Sequence, residues 1–129
     1  MSLLVPDVGE VAALQKWLNQ NLTLKLYSNN KIPAEADTAA SYTEVTGGGY
    51  ANKTLVFGTW SIAATGIATY TAQDFSFTGV TGAPGTVYGY YIVDGSNVLL
   101  WAERFPASVL PFSPVNGSLI RITPRIQAT

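Results

Sequence analysis

From Leu22 the chain alternates, with Leu22, Leu24 and Leu26 separated by Thr23, Lys25 and Tyr27. A two-residue period places one set of side chains on each face of a strand, so this stretch predicts a half-buried β-strand ending in the turn-prone Ser28-Asn29-Asn30. Short apolar runs of the same kind follow: KTLVF (53–57), TWSIAA (59–64), GIATYTA (66–72), DFSFTG (74–79), TVYGYYIV (86–93), NVLLWAERF (97–105) and GSLIRITPRI (117–126). Gly, Pro or Asp turns separate them, and regular spacing of short strands points to a sandwich or a partly closed barrel. Asp94-Gly95 predicts a hairpin, because glycine tolerates positive φ and Asp bonds its own turn. The Pro-rich run PASVLPFSP (106–114) reads as an exposed crossover or edge.

Ahead of the strands the period is different. Val11, Leu14 and Leu18 recur at helical spacing with Trp17 beside them, while Lys16, Asn19 and Gln20 fall on the other side. Asp7 stands where an N-cap belongs and Glu10 at the capping-box position, so a short amphipathic helix is expected, ending near Asn21. Such a helix is not stable alone and must pack on the β-structure or on a neighbouring subunit. The expected organisation is an N-terminal arm (1–7), a helix (8–21) and a single β-domain (22–129). The fold class is all-β with one short N-terminal helix, an antiparallel β-sandwich, jelly-roll-like or a partly closed barrel. Residues 30–40 break every period and predict a long loop, with Thr46-Gly47-Gly48-Gly49 a second flexible crossing.

Composition sharpens the picture. With 129 residues the chain fits one domain with a real core. Hydrophobic residues make up 47% and charged residues 12%, against roughly 25% charged in ordinary domains. Too little charge is available to cover a monomer's surface, so either part of the exterior is covered in an oligomer or a docked complex, the reading preferred, or Thr and Ser supply the surface polarity. The formal net charge is −1, with no basic stripe, and nucleic acid is not an expected partner. Zero His and zero Cys exclude imidazole triads, thiolate metal sites and cysteine nucleophiles. The start, MSLLVPDVGE, reads as neither a signal peptide nor a membrane anchor, so synthesis in the cytoplasm is expected.

Candidate chemistry is sparse. Tyr88 and Tyr90 share one face of a strand in alternation, with Gly89 and Tyr91 on the other, and an exposed tyrosine pair could stack on a sugar ring. Core or contact surface is the simpler reading for strand tyrosines. Glu103 and Arg104 point to opposite faces, so one of them must find a partner inside or at a junction; Arg121 or Arg125, and Asp74 or Asp94, are the candidate partners. A glycosidase pair of Glu103 with Asp94 or Glu44 has nothing in its spacing to select it. Glu35 and Asp37 fall short of a calcium cage and read as solvated loop charge. No cofactor and no metal are expected, and no catalytic residue is assigned.

Several stretches together resemble a known group: LLVPDVGEVAALQKWLN, then LTLKLYSNN followed by IPAEADTAASYTEV, then GGGYANKTL, VYGYYIVDGSNVLLWAERF and LIRITPRI. They are similar to small tailed-bacteriophage proteins found beside the major capsid protein and associated with virion structure. The resemblance implies a capsid cement or decoration protein on the virion surface, partnered by the major capsid protein. A homo-oligomer is the matching expectation, a trimer first and a dimer second. A tail or head-fibre module that binds a receptor or surface glycan is the alternative. Candidate interface residues are Leu3, Leu4 and Val5 of the arm, Val11, Leu14, Trp17 and Leu18 of the helix, and Tyr88, Tyr90, Glu103 and Arg104 of the strands.

Overall fold

The computed structural model describes residues 4–79 and 85–127. It is an all-β, sandwich-like fold with one helix, and its antiparallel sheets are not closed into a barrel. Helix α1 spans Asp7–Trp17, followed by strands β1 (Leu22–Tyr27), β2 (Lys53–Leu55), β3 (Ser61–Ala63), β4 (Ile67–Thr69), β5 (Gln73–Ser76), β6 (Gly89–Val93), β7 (Leu99–Arg104), β8 (Leu119–Ile122) and β9 (Arg125–Gln127). They form a four-stranded sheet in the order β2-β1-β6-β7, a three-stranded sheet β3-β4-β9 and a two-stranded sheet β5-β8.

The helix begins one residue earlier than its sequence suggests. Pro6 is the cap residue, extended at φ −70° and ψ 162°, and its carbonyl accepts from the Glu10 N–H at 3.0 Å. Asp7 therefore sits inside the first turn, no side chain caps the helix, and the expected capping box is absent. Asp7 and Glu10 still favour this end through the helix dipole. The other end comes at Trp17 rather than near Asn21, because Leu18 turns inward to 3% exposure. Gln20 Nε2 donates to the Trp17 carbonyl, and Asn21 Oδ1 accepts from the Phe57 N–H instead of continuing the helix.

The closing run, expected as one strand, is two strands in two sheets. β8 pairs with β5 and β9 with β4, and the chain changes sheet at Thr123-Pro124. Proline cannot donate to a ladder, so pairing ends there; the fully buried Pro124 offers only its carbonyl, to the Tyr70 N–H at 2.9 Å. The β6–β7 hairpin forms as expected, with a different turn residue in the left-handed region. Asn97 has φ 62°, while the Asp94 carboxylate accepts from the Ser96 and Val98 N–H groups at 2.9 Å each. Asn tolerates this conformation better than any β-branched or bulky residue. The segment 106–114 forms no strand, making a single bridge from Phe112 to Val87. Gly48 in the expected flexible crossing is tied down, its carbonyl accepting from the Thr78 N–H at 2.9 Å.

Two hydrophobic clusters lie on opposite sides of the four-stranded sheet. The larger takes Leu22, Leu24, Leu26, Tyr90 and Ile92 from one face and packs them against Phe75, Phe77, Ala68, Ile120 and Ile122 of the other sheets. The smaller holds Tyr27, Tyr42, Tyr91 and Val93 on the opposite face. Every residue of β6 is buried as a result. Tyr88, expected to share a face with Tyr90, packs against the smaller cluster, since regular alternation starts only at Gly89.

The cover on the second face is the long loop after β1. Tyr42 stacks on Tyr91 with centroids 5.1 Å apart and meets Tyr27 edge-on at 4.9 Å. Offset-stacked and edge-to-face rings add to area burial. Asp37, expected as solvated charge, lies 2.7 Å from Lys31 Nζ with its side chain only 6% exposed, and accepts from the Tyr42 hydroxyl at 2.8 Å.

Gly89 is a point of close approach between β6, β7 and the Tyr27 ring. A Cβ there would meet the Glu103 carbonyl and lie 2.7 Å from the Tyr27 ring. Gly89→Ala is expected to lower unfolding free energy by about 3 kcal/mol, because the neighbouring backbone must shift. Gly95→Ala, with nothing within 4 Å of its Cβ, is expected to change it by less than about 0.5 kcal/mol. Urea unfolding of the two variants measures the contrast.

Candidate protein interface

The expected interface residues do not form one surface. Leu3 lies outside the described residues. Leu4 is 85% exposed and Val5 44%. Leu14 and Leu18 are internal at 2% and 3% and join α1 to the main core, so they are corrected from docking residues to packing residues. Val11 is half-buried, and Trp17 rests its ring 5.6 Å from that of Trp101. From there an aromatic row continues through Trp60, 6.3 Å from Trp101, to Tyr70 at 5.2 Å. Trp17 thus tethers the end of α1 to β7 at the head of this row.

Tyr90 is corrected in the same way. It is 6% exposed, and burial first, then the Glu103 carboxylate directly opposite on β7, pushes its hydroxyl pKa up to about 12. Tyr91 is likewise pushed up to about 12 by burial, with Glu44 a lesser cause. Tyr88 and Arg104 do come together, the guanidinium carbon standing 5.1 Å from the ring centroid. Arg104 Nη1 also donates to the Lys31 carbonyl at 3.1 Å, so its partners are a ring and a loop carbonyl, not Asp74 or Asp94. Asp74 belongs to Arg121, through hydrogen bonds of 2.7 and 2.9 Å from Nε and Nη2. Glu103 is exposed and, among the described residues, has no ion-pair partner.

Paired carboxylates are not assembled. The residue opposite Glu103 is Tyr90, and Asp94 follows four residues further along that chain, roughly 13 Å away at the usual strand rise, beyond the range for a glycosidase pair. Glu44 is held by the Tyr50 hydroxyl at 2.8 Å, by Asn52 at 3.1 Å and by Lys25 Nζ at 3.7 Å. No group of three or more acidic, His or Cys side chains able to hold a metal occurs among the described residues.

The surface that does form is apolar and surrounds the start of α1. Val8 is 81% exposed, and Ala12 and Ala13 are exposed as well. The helix is therefore not amphipathic in the expected one-sided way: Leu14 and Leu18 face the core while a second apolar stripe faces outward. A shallow groove of about 470 Å³ lies between α1 and the residue that follows β3, lined by Val8, Val11, Ala12 and Ala64 with Asp7 and Gln15 beside them. Val8 and Ala12 stand four residues apart, a spacing visible on a helical wheel. The candidate residues overlooked that stripe in favour of the one carrying the larger side chains.

No protein-family model, curated protein or solved structure matches the chain.

Two outcomes follow from these positions. Leu14→Ala is expected to destabilise the fold by about 2–4 kcal/mol, and Val8→Ser by less than about 0.5 kcal/mol, as read by chemical denaturation. The second concerns pH. The hydrogen bond from Lys31, followed by those from the Ala34 N–H and the Tyr42 hydroxyl, outweighs desolvation and holds the Asp37 carboxyl below its usual pKa. A depressed carboxyl contributes stability that is present above the unfolded value and is lost as pH falls through the folded one. The Tyr42 ring signal in NMR is therefore expected to report loosening of the loop below pH about 4, a dependence that Asp37→Asn removes.

Proposed function

We propose that this chain is a decoration protein of a tailed-bacteriophage capsid, seated across junctions between major capsid protein subunits. There it holds the shell against the pressure of packaged DNA. The observation that supports this reading is the exposed apolar stripe of Val8 and Ala12, which shares one groove with Val11 and Ala64, in a chain with only 12% charged residues. Contiguous apolar surface marks a contact site, and the family resemblance of the sequence supplies the partner. Many copies, each bound modestly and linked through a homo-oligomer, a trimer first and a dimer second, act together as a strong lattice.

The rival reading, a fibre module that binds a receptor glycan, calls for an open aromatic platform. Tyr90 is buried and Arg104 stands over the Tyr88 ring, so the aromatics named for that role do not make one.

Electron microscopy of intact particles is the deciding measurement, with many copies expected over subunit junctions. Val8→Glu is expected to keep the β-domain folded and weaken shell binding at least about tenfold, because a docked carboxylate must be desolvated. Absence from purified virions, or shell binding unchanged by Val8→Glu, would count against the proposal.

A further inference from the structure

The second apolar feature lies along β8. All four residues of this strand, Leu119–Ile122, line a groove of about 240 Å³ whose other wall is formed by Phe105, Val109 and Phe112. The groove follows an unpaired edge, since β8 has β5 on one side and, among the described residues, no strand on the other. The Phe77 N–H donates to the Ser118 carbonyl, and an antiparallel ladder alternates from there. Leu119 and Arg121 consequently direct their N–H and C=O groups outward, where they make no backbone hydrogen bond to another described residue. The one charge beside the groove is already neutralised, because Arg121 is held by both Asp74 oxygens. A slot with free ladder groups and apolar walls calls for an extended apolar segment.

Such a segment is present on the same molecule, at the other end of its chain. Leu4 is 85% exposed and Val5 44% exposed, Pro6 is extended, and no described residue of the arm or of α1 lines the β8 groove. The arm therefore has apolar side chains without a seat, and β8 has a seat without an occupant. We propose that Leu4-Val5 of one copy adds as a short strand to the β8 edge of a second copy. Pro6 then ends the added strand, since it lacks a donor for the next ladder position. The contact is heterologous, arm to groove, so it closes into a ring when the rotation permits. A segment this short buries less than a standard interface, and ring closure adds the strength that a single arm lacks. This inference concerns contacts between copies and stands apart from the capsid reading.

Complementation between two defective variants tests it on the purified full chain by sedimentation velocity across a concentration series. Leu4→Asp disables the arm and leaves the groove intact; Val109→Asp, at a residue 47% exposed, disables the groove and leaves the arm intact. Each variant alone is expected to weaken self-association at least about tenfold, since burying one leucine-sized side chain is worth more than a decade in affinity. At the top of the concentration series their equimolar mixture is expected to form dimers, weaker than the wild-type assembly because no ring closes, and nothing larger, because only one productive arm-groove pair remains. Leu119→Asp, at a residue 52% exposed, provides a second groove variant should Val109→Asp fail to give the wild-type circular dichroism spectrum. A wild-type chain that stays monomeric throughout, groove variants that assemble like the wild type, or a mixture that forms no dimers would each overturn the proposal.

Discussion

Burial of β6 on both faces is the constraint around which the molecule is organised. An antiparallel sheet can leave one face in water, and here the Thr23, Lys25 and Tyr27 face of β1 would do so if the chain left the sheet directly. Instead residues 28–45 fold back over it, and Tyr42 fills the space between Tyr27 and Tyr91. Polar bonds hold the cover in place: Asn29 bonds the Ser41 carbonyl and the Thr43 N–H, Tyr27 donates to the Lys31 carbonyl, and Asp37 joins Lys31 to Tyr42. Close approach at Gly89 follows, because the Tyr27 ring lies where a side chain on β6 would otherwise stand.

The opposite face is closed by joints between sheets. Thr123-Pro124 carries the chain from the β5-β8 sheet to the β3-β4-β9 sheet, and buried Pro124 is one hinge of the sandwich. The tryptophan row is the other. It runs from Trp17 through Trp101 and Trp60 to Tyr70, tying the helix to β7 and to the residue that follows β4 by ring contacts. Among the described residues the buried indole N–H groups of Trp60 and Trp101 have no hydrogen-bond partner.

These internal commitments explain which surfaces remain for a partner. The large aromatic residues that attract a functional reading are mostly consumed by the two clusters, and most of the exposed apolar residues are aliphatic and lie elsewhere, Phe57 and Trp17 being the aromatic exceptions. Val8 and Ala12 face outward because α1 docks through the face that carries Leu14 and Trp17, continued by Leu18. Val109 and Leu119 remain exposed because the Pro-rich crossover passes beside β8 without pairing to it along its length.

Local pattern in the chain was enough to establish the strand class, the single helix, the β6–β7 hairpin and the inward placement of Leu22, Leu24 and Leu26, since side-chain period and turn chemistry act over a few residues. Pattern also showed the shortage of charge that points to covered surface. Tertiary structure alone decided that Tyr91 is as buried as Tyr90, because the residue covering it, Tyr42, lies far away in a segment with no period. It likewise decided the partner of Arg104, the split of the final strand between two sheets, and the meeting of Phe105, Val109 and Phe112 with the edge of β8. Each of these depends on which distant segments become neighbours, and no local period carries that information.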